Sequence, residues 1–252
     1  MSLISSFTKK SKLNATIEQT AKARKSEGNT ADGLFKASYQ GYAEVLQDDP
    51  LRADALYNWG FALLHQAKTK TGDEAARIYQ EAIDKFAFCM LINPNYLGAA
   101  INGGVAYMDL ARLKQVKPDH ELYESAKKQF EKANAIQAGT ASYNLACIYG
   151  LRGDKDACLK ALENARVKVT LPEAVEILND PDMDAVKELD WFVEFMESLN
   201  KKAEAEAEIE KTADEKAPEK KWKLVERNAD SEDAITEQEA PTEEGPAEEE
   251  AK

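Results

Sequence analysis

Tyr79-Gln-Glu-Ala82-Ile-Asp-Lys-Phe86-Ala-Phe-Cys89 returns 44 residues later as Tyr123-Glu-Ser-Ala126-Lys-Lys-Gln-Phe130-Glu-Lys-Ala133. A small, a large and a small residue spaced four and then three apart fall on one face of a helix. The same spacing occurs upstream as Ser38/Tyr42/Val45, and Pro50 and Pro94 close two of the three runs. A second pattern precedes the last two runs and comes back once more: Leu56/Trp59/Gly60/Leu63, Ala100/Gly103/Gly104/Tyr107 and Ser142/Leu145/Ala146/Tyr149. Self-similarity of this kind means stacked helical hairpins, each burying its apolar face against its neighbours.

The remaining elements follow outward from that core. Residues 11–27 predict a helix ended by Gly28, and residues 31–47 a second one closed by Asp48-Asp49-Pro50, together a divergent first hairpin. The second hairpin runs from Ala53 to Pro94, and Thr71-Gly-Asp-Glu74 has the spacing of a capping box at the start of its second helix. Gly60, Gly104 and Ala146 share one offset. Glycine inside a helix costs about 1 kcal/mol against alanine, so a close approach by the neighbouring helix is expected there. Lys117-Pro118-Asp119 opens the second helix of hairpin three. Hairpin four, residues 139–166, is shorter and turns at Gly153-Asp154. Residues 172–199 supply a closing segment in which Val186, Leu189, Phe192 and Met196 form one stripe, as the open end of a stack requires.

The expected fold is all-α: a right-handed superhelical stack of hairpins with a C-terminal capping helix and a disordered acidic tail. The expected organisation is an N-terminal helix over 1–30, the array with its closing segment over 31–199, and the tail over 200–252. Of the net charge of −13, the tail carries −9, from 18 acidic and 9 basic residues. The array is close to neutral and shows no basic stripe, which excludes a nucleic-acid partner. Within the tail, Lys220-Lys-Trp-Lys-Leu-Val-Glu-Arg227 is an apolar island.

Three cysteines, Cys89, Cys147 and Cys158, fit no disulfide framework or zinc site and point to a reducing compartment. No apolar run is long enough to span a bilayer, and the N-terminus lacks a secretory h-region. Leu3, Ile4 and Phe7 beside Lys9, Lys10 and Lys12 make a short basic amphipathic turn, expected as a frayed helix start, with a membrane contact or an organelle address as the alternative. The resulting localisation is cytoplasmic. His65 and His120 are 55 residues apart and expected as solvated loop residues, and no phosphate loop, metalloprotease motif or nucleophile elbow occurs. No cofactor, metal or catalytic residue is expected.

Leu56-x2-Trp59-Gly60, Ala82-x3-Phe86-x2-Cys89-x4-Pro94 and Tyr143-Asn-Leu-Ala146-x2-Tyr149-x3-Gly153-Asp154 resemble the tetratricopeptide repeat over residues 31–166. Asn179-Asp-Pro-Asp182 and the residues up to Val186, followed by Trp191-Phe192, resemble the segment that closes many bacterial arrays of this family. Hairpins two and three carry ten residues more than the usual 34, which implies extra turns or a longer loop at one edge. Plant-type mitochondrial import receptors have similarly stretched repeats. They also carry a C-terminal membrane anchor, which is expected to be absent here, so the resemblance is placed with tetratricopeptide proteins at large.

In that family the first helix of each hairpin lines a concave, ligand-binding face. The resemblance assigns to it Tyr57, Asn58, Phe61 and Leu64; Ile101, Asn102, Val105 and Met108; and Tyr143, Asn144 and Cys147. None of these is Lys or Arg, which excludes the carboxylate clamp of co-chaperone members. The implied function is a non-catalytic protein-protein interaction adaptor or assembly factor whose groove binds an apolar or amphipathic peptide segment of another protein. The alternative is a self-assembling structural scaffold, with stretched edges stacking between copies.

Overall fold

The computed structural model of the chain describes residues 3–199 and 201, with side chains from residue 11 onward. The expected acidic tail, with its Trp222 island, lies outside the described residues. Those residues are helical throughout the array and contain no strand. Four consecutive pairs form it: α1 (Leu3–Ala23) with α2 (Gly28–Asp48), α3 (Ala53–Ala67) with α4 (Gly72–Ile92), α5 (Leu97–Leu113) with α6 (Glu121–Ile136), and α7 (Ser142–Leu151) with α8 (Lys155–Val167). The closing segment is α9 (Ala174–Asn179), a 3-10 turn over Pro181–Met183, and α10 over residues 190–199.

The surplus residues of the two middle hairpins go mainly into helix. Hairpin two has helices of 15 and 21 residues and hairpin three of 17 and 16, against 10 and 13 in hairpin four. One core runs from Leu56 to Met196 through the second helices' Ile78, Ala82, Phe86, Cys89, Ala126, Phe130, Cys158 and Leu162. A second, smaller core joins α1 and α2 to α3 through Leu13, Phe35, Tyr42 and Ala62. Trp59 lies between the two cores, with Tyr39 and Tyr42 at 6.3 Å on its faces and the Lys85 ammonium 4.4 Å from its centroid.

The shared glycine offset has its steric cause. A Cβ on Gly60 would sit 2.9 Å from the Phe86 ring, and one on Gly104 2.5 Å from the Phe130 ring. In hairpin four the two offsets are held by Ala146 and Leu162, a larger residue on the first helix and a smaller one on the second.

Several local expectations are corrected. α1 ends at Ala23 and not at residue 27. Thr71 does N-cap α4 in extended conformation, but its side chain makes no capping bond, and Gly72 follows at φ +58°. α6 begins at Glu121, past Pro118, because His120 is its N-cap and accepts from the Leu122 amide through Nδ1 at 3.1 Å. Leu189 does not join the buried stripe of Val186, Phe192 and Met196 and is 45% exposed.

Candidate functional site: the face of the first helices

The face lined by α3, α5 and α7 is where the sequence placed the binding residues, and the structure divides it into an open and a covered part. Tyr57, Phe61, Ile101 and Val105 are half-buried. Tyr57 packs against Tyr96 at 4.8 Å and Phe61 at 6.2 Å, and its hydroxyl accepts from Asn102 Nδ2 at 3.1 Å. Gly98 leaves the room for that ring, since a Cβ there would come within 2.9 Å of it. Phe61 is a member of neither core. It is flanked by the His65 ring at 4.4 Å, edge-on, and by the Arg24 guanidinium at 4.9 Å. His65 is therefore a half-buried helix residue and not a loop residue. Burial, with Arg24 and Lys68 adding to it, pushes its pKa down to about 4.

Leu64, Met108 and Cys147 are buried and cannot line an open groove. All three belong to the main core. Asn58 bonds within its own helix, donating from Nδ2 to the Asp54 carbonyl at 2.7 Å. Asn144 is half-buried beside Tyr143 on α7.

The covered part is hairpin four. Tyr143 Oη donates to Asp180 Oδ2 at 2.8 Å and Cys147 Sγ donates to the same oxygen at 3.6 Å. A Cβ on Gly150, one turn further along this stripe, would meet the Asp182 carbonyl and Met183 Sδ, both at 3.1 Å. The turn 179–183 thus lies against α7 where a ligand was expected. Its anchor is Arg112, which donates from Nε to Asp182 Oδ1 at 3.2 Å and from Nη2 to Oδ2, while Nη1 bonds Asp109 at 2.7 Å. Ile101, Val105 and Met108 predict Arg112 as the next residue of their stripe, at the same three-or-four spacing. The exclusion of basic residues stopped one turn short of it.

Burial raises the Asp182 carboxyl above the ordinary carboxylate range, with Arg112 pulling the other way. Burial, then the Asp180 charge, also holds the Cys147 thiol well above its usual range and keeps it unreactive. Cys147, Asp180 and Asp182 bring three potential ligand atoms within 4.8 Å of one another, but Arg112 takes both Asp182 oxygens. The cluster is an anchor for the closing turn. Away from this face, a cavity of about 400 Å³ opens between α6, α7 and α8, lined in part by Leu145, Tyr149, Ala157 and Ala161. The corresponding space one hairpin earlier holds Gln129 at the offset of Ala161 and is about 20 Å³.

Stacked helical hairpins with a half-open aromatic and aliphatic strip on their first helices define a helical repeat module of tetratricopeptide-like construction. Residues 33–149, from within α2 into α7, match the family described as plant specific mitochondrial import receptor subunit TOM20. No curated protein matches the chain. The match is to the stretched-repeat receptors, a tetratricopeptide-like helical family, and it is to a family of receptors and not of enzymes. It overturns the cytoplasmic placement, because the family indicated is that of a mitochondrial import receptor. Reduced cysteines led to that placement, and a protein on the outer surface of an organelle meets that condition equally. Among the described residues no helix is long and apolar enough to cross a membrane.

Proposed function

We propose that this chain is a receptor-type interaction protein that holds an apolar or amphipathic segment of another protein on the α3–α5 face, in the manner of a mitochondrial import receptor subunit. The observation that carries this reading is Phe61. It is a large aromatic side chain outside both cores, continuous with Tyr57, on a face that also presents Ile101 and Val105. Aromatic anchors of this kind dominate binding energy when a partner removes them from water. The family match supports a mitochondrial setting for this reading, in which the partner segment is that of a protein bound for the mitochondrion.

Isolated mitochondria test the reading. The chain added in excess should slow uptake of a radiolabelled precursor by sequestering it. Phe61→Asp combined with Val105→Asp should keep its helical circular dichroism and its melting transition but lose the competition. Equal competition by the double variant would remove the strip from consideration.

A further inference from the structure

The cavity between α6, α7 and α8 has a polar end and an apolar remainder. At the polar end Ser142, buried at the start of α7, accepts from Asn134 Nδ2 at 3.2 Å and from Asn164 Nδ2 at 2.6 Å. Asn134 Oδ1 in turn accepts from the Ala141 amide at 2.8 Å. With two amides donating to its oxygen, the Ser142 hydroxyl has its own hydrogen left to give, and no described residue takes it. Lys160 lies one turn before Asn164 on α8, exposed at the rim, with no carboxylate partner among the described residues. The lining carries this cation and no carboxylate. Beyond the polar end, Leu145, Ala157 and Ala161 form apolar walls, with Tyr149 beside them.

The stack requires neither this space nor its polar end. One hairpin earlier, Gln129 stands at the offset of Ala161 and the space is about 20 Å³. The offsets of Asn134, Ser142 and Asn164 hold Met90, Ala100 and Lys132 there, and Met90 and Ala100 are buried in the main core. Hairpin four has thus lost a side chain from the space and gained hydrogen-bonding groups around it. Its cavity of about 400 Å³ is of the size of small-molecule sites, which combine apolar walls with a few placed polar groups.

We infer that this cavity binds a small apolar monocarboxylate, with its hydrocarbon body on Leu145, Ala157 and Ala161 and its carboxylate between the Lys160 ammonium and the Ser142 hydroxyl. Both of those groups donate, which suits a head that only accepts. An amine head would face Lys160 with no carboxylate on the lining to answer it. From Ala157 to Asn164 the wall runs about 10 Å along α8, the length of a chain of about eight carbons. The cavity shares no lining residue with the α3–α5 strip, and the inference stands independently of the receptor reading.

Isothermal titration calorimetry of the full chain with sodium octanoate, octanamide and octylamine tests it. Octanoate should bind one to one and about tenfold more tightly than octanamide, and octylamine should give no saturable heat. Lys160→Gln should bring octanoate to the affinity of octanamide and leave octanamide unchanged. Ala161→Gln, which restores the side chain that hairpin three has, should abolish binding of both while keeping or raising the melting transition. Should that variant lose its transition, Ala161→Leu fills the same space and gives the same answer. Phe61→Asp with Val105→Asp should leave octanoate binding intact. The inference is overturned by no binding of octanoate at millimolar concentration, by octylamine binding as tightly, or by an octanoate advantage that survives Lys160→Gln. Octanoate binding that survives filling of the cavity, or is lost in the strip variant, overturns it equally.

Discussion

His65 stands edge-on to Phe61 under the positive charges of Arg24 and Lys68, and it is held neutral there. Its folded pKa, about 4, lies below the ordinary 6.5, so between those values the unfolded chain binds more protons than the folded one. Stability therefore falls as pH drops through that window and the loss is complete below it. Half-exposure of the ring keeps the effect small. Urea midpoints measured across the window should decline, and in His65→Gln the decline should be shallower. An unchanged slope would mean that His65 titrates freely. Neither Arg24 nor the orientation of His65 was legible from spacing, because both depend on where α1 crosses α3. Arg112 was legible in principle, one turn beyond Met108 on the same stripe.

At the scale of the helix, the glycines divide by what faces them. Gly104 lies under the fully buried Phe130 ring, whereas Gly33, inside α2, has nothing within 4 Å of a Cβ. Alanine relieves the backbone entropy cost at both, by up to about 1 kcal/mol. At Gly104 the methyl group must displace a packed ring, which costs about 1–3 kcal/mol and outweighs that gain. Gly104→Ala should lower the urea midpoint and Gly33→Ala should raise it, with equal m-values. The reverse order would show that the ring yields freely. The sequence foretold the close approach at Gly60 and Gly104, because helix-breaking residues recurring at a fixed offset need a steric reason. It did not foretell helix ends. Pro118 looked like a first-turn residue, but the actual cap is His120, whose ring nitrogen meets the Leu122 amide. The Thr71 box has the right letters but makes no capping bond.

Across the whole array, the closing segment does the work that a further hairpin would do, covering α7. Its tie to α5 is asymmetric: Asp182 is buried while Arg112 is partly open to water. Arg112→Met leaves a desolvated carboxylate with no cation, a loss of about 2–4 kcal/mol for the segment. The turn should then open locally and expose Cys147. A thiol-reactive dye should label Cys147 faster in this variant, with Cys89 and Cys158, both fully buried, as internal references. Labelling rates that rise together would indicate global unfolding, and no change would mean that the turn is held by Met183 and Ile177 alone.

The recurrence of small and large residues determined by itself that the chain folds as a helical stack, which residues fill its core, and that an end cap follows. Periodicity carries that information because each hairpin buries the same face against the next, so contacts follow position in the repeat. Tertiary structure alone decided which members of the inner face remain open. Arg24 follows the first helix and the Asp180–Asp182 turn belongs to the closing segment, and both reach the face across sequence distances that no repeat encodes.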